Sequence, residues 1–390
     1  MAIEGRSDSK AGGRVRYGMV GGGEGAFIGA VHRLAARMDD DYVFVAGALS
    51  STPEKAQRSG EALGLDPARI YPDFATMAQK EKRRKDGIEA VAIVTPNHMH
   101  APAAEAFIKA GIHVICDKPV TTTLKDALKL KKLAEEKGVI FAVTHNYTGY
   151  PLIRAAREMV MAGDLGEIRL IQVEYPQDWL TTNIEQTGQK QADWRTDPKR
   201  SGAGGSIGDI GTHAFNLAQF VGGLEVSQLL AELTTFVPGR ALDDNVQVLL
   251  RYANGARGAL WASQVAPGNE NGLMLRIYGS KAGFHWRQDN PNYLYFTPHG
   301  EPTRILTRGS GAVGEAAARV TRVPPGHPEG YLEGFANIYT EIARAIKAAR
   351  TGAKLDPAVT FPGIDDGIAG MAFIEAAVKS SKKGGVWVNW

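Results

Sequence analysis

Short apolar runs alternate with helical patterns over residues 15–147, and this alternation constrains the fold more than any other feature of the sequence. The predicted strands are 16–20, 42–49, 90–94, 113–116 and 139–143. One predicted helix follows the glycine-rich turn and ends near Met38, and the others span 53–63, 101–110 and 124–137. In the last of them, Leu128 is expected to lie on the buried face. Strands separated by helices of this length predict βαβ units and a parallel sheet covered on both faces. Residues 14–147 are therefore predicted to form one α/β domain.

The pattern becomes β-rich after Pro151. The apolar runs are 168–174, 229–236, 246–252, 256–263 and 273–278, with helical patterns near 212–220 and 332–349. Asn254-Gly255 is expected to join two strands as a hairpin, because this pair readily adopts the positive φ angles of a tight turn. Residues 148–390 are predicted to form an α+β domain on a mainly antiparallel sheet.

Composition excludes several classes of protein. The 390 residues allow two or three domains, and 45 Lys and Arg against 42 Asp and Glu give a net charge of +3. This balance is too even to predict nucleic-acid binding. The single cysteine, Cys116, excludes an internal disulfide and fits a reducing, cytoplasmic compartment, and we expect it to be a packing residue.

No segment predicts contact with a membrane. No apolar run approaches the roughly 18 to 20 residues that cross a bilayer. Residues 1–13 are polar and glycine-rich, without the apolar core of a secretory signal. We interpret them as a disordered tail or a linker added for expression.

A glycine-rich turn follows the first predicted strand and opens a helix. Gly21 and Gly23 would let the backbone turn tightly and approach a pyrophosphate at the helix N-terminus. The third glycine of this pattern falls either at Ala26, which is small enough, or at Gly29 of a lengthened loop. Such a loop can be a plain turn, but at the first βα junction of a βαβ series it predicts dinucleotide binding.

The end of the second predicted strand bears on the choice of cofactor. An acid there would bind the 2′-hydroxyl of NAD, whereas an arginine would accept the 2′-phosphate of NADP. The chain instead has Ser50 and Ser51, with Lys55 nearby, and hydroxyls serve either cofactor. We expect NAD, with NADP still possible.

Two further polar segments follow the third and fourth predicted strands. Residues 95–100 read Thr-Pro-Asn-His-Met-His, and Asp117-Lys118-Pro119 comes after the fourth strand. Both lie at the carboxyl ends of parallel strands, where ligands bind in open α/β sheets. A metal site at the two histidines is the less favoured alternative to a solvated or cofactor-contacting loop. Lys118 is predicted to lie beside the nicotinamide.

A third cluster is Gly208-Asp209-Ile210-Gly211-Thr212-His213. If a helix begins at Asp209, then Asp209 and His213 lie one turn apart on the same face. The pair could be an N-cap with an incidental histidine. Alternatively it handles a proton, because a histidine that titrates near neutrality can accept the hydroxyl proton of an alcohol during its oxidation.

In this order and spacing, the four motifs resemble those of the Gfo/Idh/MocA family of NAD(P)-dependent oxidoreductases. They are Gly21-x-Gly23, Thr95-Pro96-Asn97-x-x-His100, Asp117-Lys118-Pro119 and Gly208-Asp209-x-Gly211-x-His213. The resemblance extends from Val15 over essentially the whole chain. It departs from the family at Asp117, where glutamate is usual, and in the longer glycine loop. It implies a Rossmann dinucleotide-binding domain followed by an α+β domain for substrate binding and oligomerisation.

The resemblance also implies roles for individual residues. The catalytic set would be Lys118, Asp209 and His213. The cofactor would contact Gly21, Gly23, Ala26, Phe27, Ile28, Ser50, Ser51, Thr95, Asn97, His100, Asp117, Lys118, Asn146 and Trp194. Substrate would contact Lys118, Arg195, Asp209, His213 and His327. Gln177 and Trp179, in a polar and aromatic segment after a strand, are also expected to contact a sugar, because an indole packs on C–H faces and an amide binds hydroxyls; the alternative for Trp179 is core packing. The segments 193–198 and 326–331 are most similar to the inositol and L-glucose dehydrogenase branch.

The implied activity is oxidation of a secondary hydroxyl of a cyclic polyol or pyranose, with scyllo-inositol or L-glucose as the first choice. The alternative is a glucoside 3-dehydrogenase or a glucose-fructose-type oxidoreductase that keeps its cofactor bound. A dinucleotide-binding regulator would need none of the three catalytic residues, and a metal-dependent hydrolase would need clustered ligands that the sequence lacks. The family also implies a cytoplasmic homotetramer whose other partner is a small molecule, neither nucleic acid nor membrane.

Overall fold

The computed structural model describes residues 13–390, which form two compact units. The first unit contains the described residues up to Gly149 together with Tyr331–Ile368. The second contains Tyr150–Gly330 and Ala369–Trp390. The N-terminal segment 1–13, apart from Gly13, lies outside the described residues. No helix of the described part is long and apolar enough to cross a membrane.

The first unit is built on a five-stranded sheet. Its strands are β1 (Val15–Gly21), β2 (Tyr42–Ala48), β3 (Ala90–Val94), β4 (His113–Cys116) and β5 (Phe141–Val143). Their order is β2-β1-β3-β4-β5, and every pair is parallel. The order reverses direction between β1 and β3, which creates the crevice where ligands bind in such sheets. The predicted parallel sheet is confirmed.

Helices connect these strands. They are α1 (Phe27–Met38), α2 (Pro53–Ala62), α3 (Phe74–Arg83), α4 (His100–Ala110) and α5 (Leu124–Lys137). The prediction that Leu128 faces inward is wrong, because its side chain is 50% exposed. The buried face of α5 consists of Ala127, Leu130 and Ala134. The two alanines let the helix pack closely beside Leu130, so leucine positions alone do not mark the buried face.

The second unit is built on a nine-stranded sheet. Its strands are β6 (Ile168–Pro176), β7 (Val226–Thr234), β8 (Asn245–Tyr252), β9 (Arg257–Ser263), β10 (Met274–Gly279), β11 (Ala282–Arg287), β12 (Tyr293–Pro298), β13 (Arg304–Thr307) and β14 (Val388–Asn389). All pairs are antiparallel except β6 with β9. The hairpin between β8 and β9 turns at Gly255, where φ is +91°. The predicted mainly antiparallel sheet is confirmed.

The second unit also contains five helices before residue 330, of which the first and the fourth contact the sheet. They are α6 (Pro151–Met161), α7 (Lys190–Arg195), α8 (Pro198–Ser201), α9 (Thr212–Gly222) and α10 (Gly314–Ala318). A π-helical turn, Ile207–Gly211, leads directly into α9. The end of α9 lies close to β6, because a Cβ atom on Gly222 would come within 2.6 Å of Ile171.

Two long helices complete the fold: α11 (Tyr331–Thr351) and α12 (Ile364–Lys382). The division between the two units falls within α12. Helix α11 belongs to the first unit: Tyr42 donates to the Tyr339 carbonyl (2.9 Å), and Lys347 pairs with Asp41 (2.7 Å). The assignment of the whole segment 148–390 to the second domain therefore needs correction. These partners are about 300 residues apart and leave no local pattern in the sequence.

Candidate active site

The glycine loop turns sharply at the end of β1. Gly21, Gly22 and Gly25 have φ angles of +79°, +72° and +75°, which glycine adopts at little cost. A Cβ atom on Gly29 would lie 2.3 Å from Gly22 Cα. Gly29, rather than Ala26, therefore allows α1 to pack against the loop.

Gly23 approaches the end of β2. Its N–H donates to the Leu49 carbonyl at 3.2 Å, and a Cβ atom would lie 2.6 Å from that oxygen. The loop is also held by Arg33, which the sequence motif did not reveal and whose Nη1 donates to the Gly22 carbonyl at 2.7 Å. The backbone of the loop is thus fixed before any ligand binds.

Ala26, Phe27 and Ile28 lie where α1 begins. Ala26 precedes the helix as its N-cap residue and provides no side-chain capping bond. The N-terminus of α1 is therefore open to an acceptor from a ligand. Phe27 is 69% exposed, whereas Ile28 is partly buried.

The end of β2 presents hydroxyl groups. Ser50 Oγ accepts from the Thr52 N–H at 3.1 Å, and Ser51 is exposed. Arg58, in the following helix, lies 3.5 Å from the Glu24 carboxylate of the glycine loop. The acid near the end of β2 is therefore Glu24 of the glycine loop, and not a residue at the strand end, where an acid that binds the ribose of NAD is expected.

His100 joins the loops that follow β3 and β4. One ring nitrogen is 2.8 Å from the Thr95 carbonyl, and the other is 2.8 Å from the Pro119 carbonyl. Burial lowers the pKa of His100, while Asp117 and the two carbonyls oppose this effect. Both ring nitrogens of His100 thus face backbone carbonyls, and a contact of His100 with the cofactor stays a prediction. Among residues 13–390, no group of three or more His, Cys, Asp or Glu side chains is placed to hold a metal.

Asp117 orients the backbone at Lys118. Its Oδ1 accepts from the Lys118 N–H at 2.8 Å and from Thr144 Oγ1 at 3.1 Å. The Lys118–Pro119 peptide bond is cis, and the Lys118 side chain is partly buried. Cys116, one residue before Asp117, is fully buried, and burial raises the pKa of its thiol, as expected of a packing residue.

The fifth strand contributes a residue that the sequence interpretation missed. His145 is buried beside Asn146, after β5, and burial lowers its pKa to about 3. The charge of Lys118 lowers this pKa further, and Asp117 opposes the effect. The only local signal was a polar His-Asn pair at the carboxyl end of a strand.

In the second unit, Asp209 lies on the π-helical turn and His213 on α9. The Thr212 N–H bonds to the Ile207 carbonyl, five residues earlier. The helical segment already starts at Ser206, so Asp209 lies within it and does not begin it. Single π-helical turns within helices occur frequently at functional sites.

Two side chains hold the Asp209 carboxylate. Gln264 Nε2 donates to Oδ2 at 2.8 Å, and Arg195 Nε lies 3.3 Å from the same oxygen. The Arg195 guanidinium also lies over the Trp194 ring, 4.3 Å from its centroid. The structure thus brings together Trp194, Arg195 and Asp209, and adds Gln264, which follows β9 and belongs to no motif.

A chain of side-chain hydrogen bonds lies next to His213. The His213 ring centroid is 6.3 Å from that of Tyr175, whose hydroxyl donates to Asn271 at 2.8 Å. Gln177 also donates to Asn271 at 2.8 Å, and Trp179 donates to Gln177 at 3.0 Å. The predicted pair Gln177 and Trp179 is thus linked to His213 through Tyr175 and Asn271.

Comparison with known proteins connects these features. The model of an oxidoreductase family with an NAD-binding Rossmann fold matches residues 15–145, and that of the GFO/IDH/MocA C-terminal domain matches residues 153–285. A crystal structure of an oxidoreductase from Sinorhizobium meliloti has 60% sequence identity, a TM-score of 0.88, and coverage of 96% of this chain and 99% of that one. The chain belongs to the Gfo/Idh/MocA oxidoreductase family.

Two relatives with named ligands or substrates also match along the whole chain. An inositol dehydrogenase homologue from Azotobacter vinelandii, complexed with NADH and myo-inositol, is 36% identical. Its TM-score is 0.91, with 97% of this chain and 98% of that chain covered. Levoglucosan dehydrogenase from Pseudarthrobacter phenanthrenivorans is 26% identical over 96% of this chain and 98% of its own length.

The residues of this Gfo/Idh/MocA oxidoreductase fit NAD, the cofactor of its Rossmann domain. A Cβ atom at Gly23 or Gly29 would collide with neighbouring protein atoms, so only glycine at these positions allows the close packing that a dinucleotide-binding turn needs. Thr95 Oγ1 and Asn146 Nδ2 are buried at the carboxyl edge of the sheet, with no hydrogen-bond partner among the described residues. Buried polar atoms of this kind are normally paired, and a bound ligand would supply the partner. Asn97 is buried in the short helical turn after β3.

His327 lies on an exposed loop of the second unit. Its carbonyl accepts from Arg308 Nη2, and Arg308 also pairs with the buried Glu329 at 3.0 Å. Arg308 therefore holds the backbone of the loop, while the His327 imidazole is exposed. A substrate contact by His327 stays a prediction.

Proposed function

We propose that this oxidoreductase oxidises a secondary hydroxyl of a cyclic polyol or pyranose, with scyllo-inositol or L-glucose as the first choice. The observation that carries the proposal is the Asp209 carboxylate, held by Gln264 and Arg195 on the helical segment that also carries His213. Positioned carboxylate, amide and guanidinium groups recognise sugar hydroxyls. The relatives that bind myo-inositol or act on levoglucosan support the same substrate class.

We assign the NAD site to the loops at the carboxyl edge of the parallel sheet. The bound nicotinamide supplies the hydride acceptor. The glycine loop would hold the pyrophosphate, and Thr95 and Asn146 would bind through their buried polar atoms. NAD is favoured over NADP because Arg58, the arginine that follows the end of β2, already faces Glu24.

The chemistry requires that a hydroxyl proton be removed as the hydride leaves. We assign this proton to the His213 imidazole, and a positioned base is typically worth about 10²- to 10⁴-fold in rate. Lys118 would donate a hydrogen bond to the reacting hydroxyl. Asp209 would accept one from a neighbouring hydroxyl and so orient the ring.

A substrate panel tests the assignment. The purified protein would be assayed with inositol stereoisomers, both glucose enantiomers and levoglucosan, each with NAD and with NADP. We expect NAD-dependent turnover with at least one cyclic polyol or pyranose, and no turnover across the panel would contradict the proposal. Nicotinamide absorbance in protein purified without added cofactor would instead favour an oxidoreductase that retains its cofactor.

Two substitutions test the catalytic roles. Lys118→Ala and His213→Ala should each lower turnover by at least about a hundredfold while NADH binding survives, because each would remove a group that acts on the reacting hydroxyl. Lys125→Ala, at an exposed lysine of α5, is the matched control and should retain activity. Near-normal turnover in either catalytic variant would show that the assignment is wrong.

We also infer a cytoplasmic homotetramer. Large apolar side chains on the strands of the nine-stranded sheet are 38–55% exposed, and contiguous exposed apolar surface often marks an interface. They are Leu170, Leu249, Tyr278, Tyr293 and Ile305. Light scattering coupled to size-exclusion chromatography should give four times the mass of 41.9 kDa, and a monomeric mass would contradict the inference.

A further inference from the structure

Asp243 binds three successive backbone N–H groups of another segment. It lies two residues before β8 and is buried. Its Oδ1 accepts from Gly205 N at 2.7 Å, and its Oδ2 accepts from Ile207 N at 2.9 Å. Its backbone carbonyl accepts from Ser206 N at 2.8 Å.

These N–H groups lie at the start of the helical segment that carries Asp209 and His213. The first N–H groups of a helix have no partner within the helix and need a cap. Ser206 makes no side-chain capping bond, and its Oγ has no hydrogen-bond partner among the described residues. Asp243 therefore supplies the cap from 36–38 residues further along the chain. A carboxylate also suits the positive end of the helix dipole.

The two segments meet at van der Waals distance. A Cβ atom on Gly205 would lie 2.1 Å from the Asp243 carbonyl oxygen, so a side chain at this position would force the two backbones apart. The position of the helical segment relative to β8 is therefore set by direct backbone contact.

The same stretch of chain also reaches Asp209 from a second direction. The backbone carbonyl of Asp244 accepts from Gln264 N at 2.8 Å, and Gln264 Nε2 donates to Asp209 at 2.8 Å. Within the helical segment, Asp209 N donates to the Gly205 carbonyl at 2.9 Å. Asp243 thus contacts the helical segment that carries Asp209, and Asp244 contacts Gln264, which holds the Asp209 carboxylate.

Asp243 remains a carboxylate in a costly environment. Burial raises the pKa of Asp243 to about 6, and the neighbouring Asp244 adds to this, while the bound N–H groups oppose it. The adjacent Asp244 differs, because it pairs with Arg240 at 3.1 Å.

We propose that Asp243 is a positioning residue, which caps the helical segment and thereby sets the location of Asp209 and His213. The link to turnover rests on the proposed function. The capping itself is independent of the substrate.

Asp244 offers a matched control for the test. It is the adjacent residue, is also buried, and its carboxylate likewise accepts two backbone N–H groups, those of Phe236 and Val237. Asp244→Asn should therefore destabilise the protein without releasing the helical segment. Asp243→Asn retains one side-chain acceptor oxygen and Asp243→Ala retains none, while both keep the backbone carbonyl that accepts from Ser206 N.

Hydrogen exchange and kinetics together decide the proposal. Peptides covering residues 205–213 should exchange faster in Asp243→Asn than in Asp244→Asn, and fastest in Asp243→Ala. In Asp243→Asn, kcat should fall about 10- to 100-fold with the Kd for NADH unchanged, because a 1 Å misplacement of catalytic groups can cost about a hundredfold.

Equal exchange at 205–213 in the two asparagine variants would overturn the proposal. So would an unchanged kcat in Asp243→Asn when the wild type turns over. If the wild type turns over none of the panel, the proposed function fails, and the exchange result alone decides whether Asp243 caps the segment.

Discussion

The candidate site residues of the two units are held in different ways. In the first unit the glycine loop packs through backbone atoms, and a Cβ atom on Gly29 would lie 2.3 Å from Gly22 Cα, seven residues earlier. In the second unit Asp209 is held by the side chain of Gln264, 55 residues away, and its helical segment is capped by Asp243. The glycine loop is thus largely encoded by neighbouring residues, whereas the side-chain cluster around Asp209 depends on tertiary contacts.

The strongest challenge to this comparison is Gly29→Ala. Its Cβ atom would lie 2.3 Å from Gly22 Cα and 2.6 Å from Gly22 O, so α1 must shift away from the loop. Overpacking of this kind costs about 1–3 kcal/mol, and we expect NADH affinity to fall about 10- to 100-fold. Fluorescence titration with NADH measures the change.

Gly25→Ala is the matched control in the same loop. Gly25 has φ +75° and no atom within 4 Å of its Cβ position, so the substitution carries only the conformational cost of about 1–2 kcal/mol. NADH affinity that fell equally in both variants would show that close packing at Gly29 is not the decisive contact.

Gln264→Ala addresses the second unit. It removes the hydrogen bond to Asp209 Oδ2, and hydrogen bonds to charged groups contribute about 1.5–3 kcal/mol. We expect kcat to fall about tenfold with the Kd for NADH unchanged. Gln247→Ala, at an exposed position of β8, should have no effect. A weakened NADH affinity in Gln264→Ala would contradict the separation of roles between the units.

Tyr339→Phe removes a tertiary contact within the first unit, where the glycine loop depends mostly on local contacts. The Tyr339 hydroxyl is 2.7 Å from His32 Nδ1, and both residues are buried. Loss of the hydroxyl leaves the imidazole without this partner, so the free energy of unfolding should fall by about 1–3 kcal/mol in urea titrations. Tyr293→Phe, at a partly exposed tyrosine, should change it by less than about 0.5 kcal/mol. Equal stability of both variants would argue against α11 as part of the first unit.

The units should also differ in their response to acid. Burial lowers the pKa of His32 from 6.5 to about 4, so in the unfolded chain this residue takes up its proton first as the pH falls. The folded state therefore loses stability as the pH falls from 6.5 to 4. The loss caused by His32 is already about 1 kcal/mol at pH 6. Asp243 has the opposite sign, because its raised pKa of about 6 makes the folded state gain stability as the pH falls from 6 to about 4.

Urea titrations between pH 7.5 and 5 test this difference. Stability should fall more steeply with acidification in Asp243→Asn than in the wild type, because the opposing contribution is lost. Identical slopes would show that Asp243 does not titrate in this range.

Local patterns allowed most of the first unit to be predicted. β3, β4 and α5 have the predicted bounds, and the motif residues do follow β1, β3 and β4. The strands β11 to β13 were not predicted, because runs such as 282–287 mix aromatic, basic and glycine residues without clear alternation. Helix α11 was predicted as a helix but assigned to the wrong domain.

The candidate site was predictable only in part, for the same physical reason. Asp209 and Lys118 stand in short motifs, so their chemistry can be read from neighbouring residues. Gln264, Asn271 and Asp243 are polar residues whose partners lie 38–96 residues away. Their importance arises from burial and pairing in the folded chain, which no sequence window contains.

Because α11 belongs to the first unit, that unit can be completed only late in the synthesis of the chain. All five strands of the parallel sheet emerge with residue 143, but α11 is complete only at residue 351. At about 5–20 residues per second, the nascent sheet waits on the order of 10–40 s for this helix. During that time the apolar surface of α1 and β1 that α11 covers in the finished protein is open to chaperones, and a chain truncated before residue 331 would leave it open permanently.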